Sequence, residues 1–188
     1  MTYFEELSNA RIKHAENMAA GISSKVLQIR KESIKQSLSD YGTLGHRKEY
    51  VTTIDEVMYF DDAKAENINA TWFTFESTVK PIIWIACCSI ESVDYTDLLP
   101  MAKQNVRVMI CLGDKKNQLK DAFKNAVDEV YDAKDMNEAV RIASIVAQED
   151  EIVVFSPTCK SAKQGETFEE RGNQFRNSIK QIENERYQ

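Results

Sequence analysis

The sequence predicts an α/β fold, a mostly parallel sheet covered by helices on both faces and preceded by a helical arm. Three observations carry this expectation. Residues 81–87 (PIIWIAC), 106–112 (VRVMICL) and 152–155 (IVVF) are near-continuous apolar runs, the pattern of strands buried on both faces rather than one. Stretches with helical character, 98–104, 117–125 and 136–147, separate them. Strand and helix alternating along a chain give a layered sheet with crossover connections.

The elements follow in order. Over residues 9–39, Ala10, Ile12, Met18, Ile22, Val26, Ile29, Ile34 and Leu38 recur at steps of mostly three or four, the spacing of one helix face. Gly21 can divide this arm into two helices. Asp40-Tyr41-Gly42 and Gly45 form a turn-rich linker, which sets an arm of residues 1–44 against a domain of residues 45–188. Two β-prone runs, 49–53 and 57–60, flank Ile54-Asp55-Glu56 and predict a hairpin. Residues 67–77 read as helix, 129–131 as a short strand, and 168–185 as a charged, amphipathic last helix. In such a sheet the chemistry belongs at the carboxyl ends of the strands, here residues 87–92, 113–116 and 156–164.

Composition narrows the function classes. The chain has 188 residues, 24 Lys and Arg against 30 Asp and Glu, and a net charge of −6. No basic stripe with interleaved aromatics is present, which disfavours nucleic acid. No apolar run approaches the ~20 residues that span a bilayer, and the polar start MTYFEELSNARIKH is unlike a signal peptide. The expected location is the cytoplasm, with no membrane partner. Cys87, Cys88, Cys111 and Cys159 form no CxxC pair and have no histidine nearby in sequence, so no metal site is expected. They read as buried small hydrophobes near strand ends.

Nothing matches a phosphate loop; Leu112-Gly113-Asp114-Lys115-Lys116 is the nearest approach and reads as a strand-to-helix turn with solvated charges. Neither His14 nor His46 lies near a nucleophile in sequence. Two segments say more. In Asp61-Asp62-Ala63-Lys64-Ala65-Glu66-Asn67 a carboxylate and a lysine two residues on can hold a ribose hydroxyl and a phosphate, or the segment can simply cap the helix after it. Ser156-Pro157-Thr158-Cys159-Lys160-Ser161 is a hydroxyl-rich loop after the last strand, a natural place for a small polar ligand or a well-bonded loop.

Together these segments resemble the C-terminal domain of the Mur ligases, most nearly the members that add D-glutamate (MurD-type). His46-Arg47-Lys48-Glu49 matches a His-Arg-x-Glu motif, and Asp62-Ala63-Lys64-Ala65-Glu66-Asn67 is similar to Asp-Ser-Lys-Ala-Thr-Asn. Ser156 to Ser161 follows Ser-Pro-Ala-Cys-Ala-Ser, and Phe168 with Glu169-Glu170-Arg171-Gly172 follows a phenylalanine and Glu-x-Arg-Gly. The likeness covers residues 46–182 with its motifs in family order. In the arm, Met18-Ala19-Ala20-Gly21 and Ile29-Arg30-Lys31-Glu32 resemble the end of the family's central ATPase domain, and His14-Ala15-Glu16-Asn17 is a shortened form of its His-Asn-x-x-Asn motif.

The resemblance implies a Rossmann-like α/β domain from an ATP-dependent amide ligase of peptidoglycan-precursor synthesis. It implies ATP contacts at Arg47, Asp62 and Lys64, and amino-acid contacts at Ser161 and Phe168. Two further amino-acid positions are altered. Glu66 stands where a threonine is implied, and Glu91, in Cys87-Cys88-Ser89-Ile90-Glu91, where a lysine is implied. Two like charges ~4 Å apart repel by about 4 kcal/mol at an effective dielectric near 20, so both changes disfavour D-glutamate. The phosphate loop and the uridine-nucleotide domain of the family have no counterpart in these residues. Three expectations result: a ligand- or partner-binding module without ligase activity of its own, a component working in trans with a Mur-type ligase partner, or a small-molecule sensor. The apolar stripe of the arm also suggests a homodimer through the N-terminal helices.

Overall fold

The computed structural model describes residues 45–88, 93–161 and 165–186. The helical arm at 9–39 and Glu91 lie outside the described residues. The order is β1 (Glu49–Ile54), β2 (Val57–Asp61), α1 (Ile68–Glu76), β3 (Ile82–Cys87), α2 (Leu99–Asn105), β4 (Val106–Leu112), α3 (Lys116–Phe123), β5 (Glu129–Asp132), α4 (Met136–Val146), β6 (Ile152–Phe155) and α5 (Phe168–Arg186). This is the α/β class expected, and each element predicted within these residues forms with ends shifted by a residue or two. The hairpin is tighter than its sequence suggests. Ile54 joins β1 and is buried, leaving a two-residue turn of Asp55 and Glu56, both with positive φ (47° and 64°). Such turns match the twist of the strands they join.

The six strands lie in the order β1-β2-β6-β3-β4-β5. Only β1 and β2 pair antiparallel; every other pair is parallel. The last strand is thus inserted at the centre, between β2 and β3. The apolar runs face two cores. Ile83, Ile85, Val108, Ile110, Val153 and Phe155 pack on the side of α4 and α5, with Val140 and Phe175 among their neighbours. Alternate residues point the other way. Trp84 sits edge-on between Phe75 of α1 and Phe123 of α3, at centroid distances of 5.0 and 5.1 Å.

Local signals set the helix starts that later matter. Asn67 caps α1 by accepting from the Ala70 N–H (2.9 Å). At α4 Asp135 accepts from the Glu138 N–H while Glu138 accepts from the Lys134 N–H, and at α5 Thr167 and Glu170 form a reciprocal capping box. No described helix is long and apolar enough to cross a membrane.

Candidate functional site

Strands β3 and β6 are neighbours, yet their connections leave in different directions. A crevice at the carboxyl ends of the strands results, the usual ligand position in such sheets. Around it the four sequence motifs are bonded to one another.

Asp62, just past β2, is the hub. It is 3% exposed. Its Oδ1 accepts from the Lys48 N–H (3.0 Å), and its Oδ2 accepts from the hydroxyls of Thr74 (2.5 Å) and Ser156 (3.1 Å). Burial pushes its carboxyl up to about 7, against the opposing pull of those donors and of the Arg47 guanidinium. Ser156 also meets Thr71 through its hydroxyl (2.9 Å) and accepts from the Trp84 indole through its carbonyl (2.8 Å). One bond therefore joins the second and third motifs across 94 residues.

A second hub lies beside it. Asp61 is fully buried, and its carboxylate takes the His46 Nδ1–H (2.5 Å), the Arg176 Nε–H (2.7 Å) and the Ala63 N–H (3.0 Å). Glu49 accepts from Arg176 (2.6 Å) and from the His46 N–H (2.9 Å). The Arg176 bond is the main reason its carboxyl lies below the ordinary range. Lys48 Nζ reaches the Ser77 carbonyl and hydroxyl at the end of α1 (2.8 and 2.7 Å). The His-Arg-x-Glu segment is thus a strap linking β2, α1 and α5. Gly172 explains the end of the fourth motif. A Cβ there would overlap the His46 imidazole and lie 2.8 Å from Asp61 Oδ2.

The residues expected to meet ATP gather here. Arg47 acts on Asp62, and Lys64 Nζ lies 4.7 Å from the centre of the Phe168 ring, which also meets His46 edge-on at 6.1 Å. Asp62, however, faces inward with its oxygens engaged by the fold. Ser161 is in a different place. It lines a cavity of about 450 Å³ at the ends of β3, β4 and β6. Its floor is Cys87, Leu112, Ala133, Met136 and Phe155, and Lys116, Glu166 and Arg171 rise around it.

Glu66, the position where the resemblance implies a threonine, lies between the two regions. Arg171, 3% exposed, donates to it at 2.6 Å and to the Cys159 carbonyl at 3.1 Å. The pair neutralises itself. Replacing Glu66 with glutamine should cost about 2 kcal/mol in urea unfolding, because a buried guanidinium loses its counter-charge; an unchanged midpoint would contradict this role. The Ser-Pro-Thr-Cys loop is held in a strained shape beside it. Thr158 has φ 65°, unusual for a β-branched residue, and its N–H bonds to the Ala65 carbonyl (3.0 Å).

Residues 46–159 match the family model for "Mur ligase, glutamate ligase domain". The chain is 36% identical over 165 residues to UDP-N-acetylmuramoylalanine--D-glutamate ligase of Christiangramia forsetii, covering 88% of this chain and 37% of that protein. It is 34% identical over 166 residues to the enzyme of the same name from Salinibacter ruber, covering 88% and 36%. The chain thus spans little more than a third of the relatives it matches. Among solved structures, UDP-N-acetylmuramate-alanine ligase from Thermotoga maritima aligns with a TM-score of 0.48 at 13% identity, over 73% of this chain and 30% of that one. The bonded motifs, the parallel sheet with its antiparallel hairpin and the family match over 46–159 place this chain in the Mur ligase family, through the glutamate ligase domain.

Proposed function

We propose that this chain is a MurD-like lobe that binds a ligand or a partner and does not by itself catalyse amide formation. The Glu66–Arg171 pair carries the reading. The resemblance implies a threonine there that grips D-glutamate, the amino acid in the relatives' names. Here that position holds a carboxylate whose charge is already committed inside the protein. Glu91 stands in sequence where a lysine grip is implied. Neither position offers a cation to a dicarboxylate. Arg47 and Lys64 supply positive charge for a nucleotide, but amide formation through an acyl phosphate also needs the phosphates and metal ions held in line. In the resemblance that task falls to the central domain. The purified chain, given ATP, UDP-N-acetylmuramoylalanine and D-glutamate, should release no ADP and form no amide by mass spectrometry. Amide product would overturn the reading.

One observation favours a second reading, a component working in trans. Arg47, Lys64 and Phe168 share one edge, and the bonds of Asp61 and Asp62 hold the backbone beneath them. That edge is prepared for a nucleotide presented by another protein. A Mur ligase lacking its own C-terminal domain, mixed with this chain, tests it; restored turnover selects this reading, and unchanged inactivity rejects it.

A further inference from the structure

We propose that Cys87 and Cys159 are an oxidisable dithiol pair, a site at which peroxide closes a reversible disulfide between the end of β3 and the loop after β6. This stands apart from the function proposed above, since it needs neither a ligand nor a partner.

The four cysteines, all among the described residues, form no disulfide. Cys87, Cys88 and Cys159 gather at the carboxyl edge of the sheet, where β3 lies beside β6 with Ile85 opposite Phe155. Extending that register by two residues brings Cys87 level with Pro157. The left-handed turn at Thr158 (φ 65°) then returns Cys159 against β3, and its thiol donates to the Cys87 carbonyl at 3.3 Å. A disulfide needs Cα atoms about 4.4–6.8 Å apart, and neighbouring strands are spaced at about 4.8 Å. The loop backbone is fixed on both sides of this contact. The Thr158 N–H bonds to the Ala65 carbonyl, and the Cys159 carbonyl holds Arg171. Closing the bond therefore asks for side-chain rotation and not for loop movement.

Access assigns the roles. Cys87 is half-buried and lines the 450 Å³ cavity, so a small oxidant reaches its sulfur. Cys159 is buried beside it, the place of a resolving thiol. The surroundings of the other two keep them out of the reaction. Cys88 is fully buried, and its sulfur accepts from the Tyr95 hydroxyl at 3.3 Å. Cys111 is fully buried on β4, and burial pushes its thiol up to about 12, which leaves almost no reactive thiolate. The charged residues lining the cavity, Lys116, Lys134 and Arg171 against Asp114, Asp135 and Glu166, balance in sign. Cys87 thus meets peroxide without a net cationic field to activate it, and the expected oxidation is slow.

The steps balance. The Cys87 sulfur attacks one peroxide oxygen and the O–O bond breaks, giving a sulfenic acid and water. The Cys159 sulfur, losing its proton, then attacks the Cys87 sulfur. The S–S bond forms, the S–O bond breaks, and hydroxide leaves as water with that proton. The pair of thiols gives up two electrons, and one peroxide becomes two waters. The bridge takes the Cys87 thiol out of the cavity wall and ties the loop that carries Ser161 to the end of β3.

Peroxide treatment of the full chain, followed by mass spectrometry and by thiol titration after unfolding, tests this. The intact mass should fall by about 2 Da as two hydrogens leave, and the titratable thiols should fall by half, both restored by dithiothreitol. A tryptic digest should join the peptide containing Cys87 to the one containing Cys159. Cys88→Ser and Cys111→Ser should form the bridge like the wild type, and Cys87→Ser and Cys159→Ser should not. If a serine variant unfolds by circular dichroism, fragmentation of the bridged wild-type peptides still decides, because it shows whether Cys87 or Cys88 carries the bond. No mass loss, a bridge that persists in Cys87→Ser or Cys159→Ser, a bridge lost in folded Cys88→Ser, or peroxide products limited to sulfinic acid or cross-linked dimers would each overturn the inference.

Discussion

Replacing Gly172 with alanine should destabilise the domain by about 3 kcal/mol, at the upper end for added bulk in a packed site. For a chain of this size that lowers Tm by about 6–12 °C. The cause is local. The new methyl would overlap the imidazole of His46, which cannot retreat because Asp61 holds its Nδ1 and Phe168 lies against its ring. The other neighbour, Asp61 Oδ2, is buried and pinned by Arg176. A double-mutant cycle separates this from loss of helix propensity, since alanine is the better helix former. In a His46→Ala background the cost of Gly172→Ala should fall by more than half, because the main obstruction is gone while Asp61 remains. Additive losses would show that the imidazole is not the obstacle.

The second large effect is on pH dependence. Burial raises the Asp62 carboxyl to about 7. The folded protein therefore holds a proton that the unfolded chain, titrating near 3.8, releases. Its contribution to stability is complete below about pH 4 and is lost as pH rises through about 7. At about 1.4 kcal/mol per pH unit, the loss across that window reaches about 4 kcal/mol. The geometry accommodates the protonated form. Thr74 Oγ1, 2.5 Å away, can accept from Asp62 while its own proton goes to the Ala70 carbonyl (3.2 Å). Asp62→Asn, always neutral, should match the wild type in urea unfolding near pH 5 and exceed it by 1 kcal/mol or more near pH 8.5, the sign of a relieved buried charge. A wild type that gains stability between those two values, with Asn the weaker at pH 8.5, would contradict the assignment.

Much of the fold was legible because its signals are local. A run such as IIWIAC can be buried on both faces only between two helical layers, and Asn67, Asp135 and Thr167 mark helix starts with their own side chains. The edges of the hairpin were less clear, because Ile54 reads as loop until its burial against the α4–α5 side is known. The motifs were visible as strings, but their bonding was not. Asp62 meets Ser156 across 94 positions, and Glu66 meets Arg171 across 105. A carboxylate read alone in sequence looks like a free negative charge; with a buried guanidinium 2.6 Å away it is a structural pair. Likewise His46, Arg171 and Gly172 were noted as motif letters without a task. Arg176, which links Asp61 to Glu49, had no sequence signal beyond its place on the last helix.

The central position of β6 has a consequence for how this protein is made. Until residue 155 has been synthesised and threaded into place, β2 and β3 have no partner between them, and the sheet exists only as a hairpin and a separate β3–β4–β5 ribbon. Both pieces then present open apolar backbone edges, Val57 to Phe60 of β2 and the isoleucine-rich β3, the kind that recruit other chains. Joining them requires contacts about a hundred residues apart, which closes slowly. The nascent chain therefore passes through an interval in which it is adhesive, and this interval ends only when the penultimate element arrives. A ribosome stalled before Ile152, or a premature stop there, should yield aggregate in place of a smaller soluble domain.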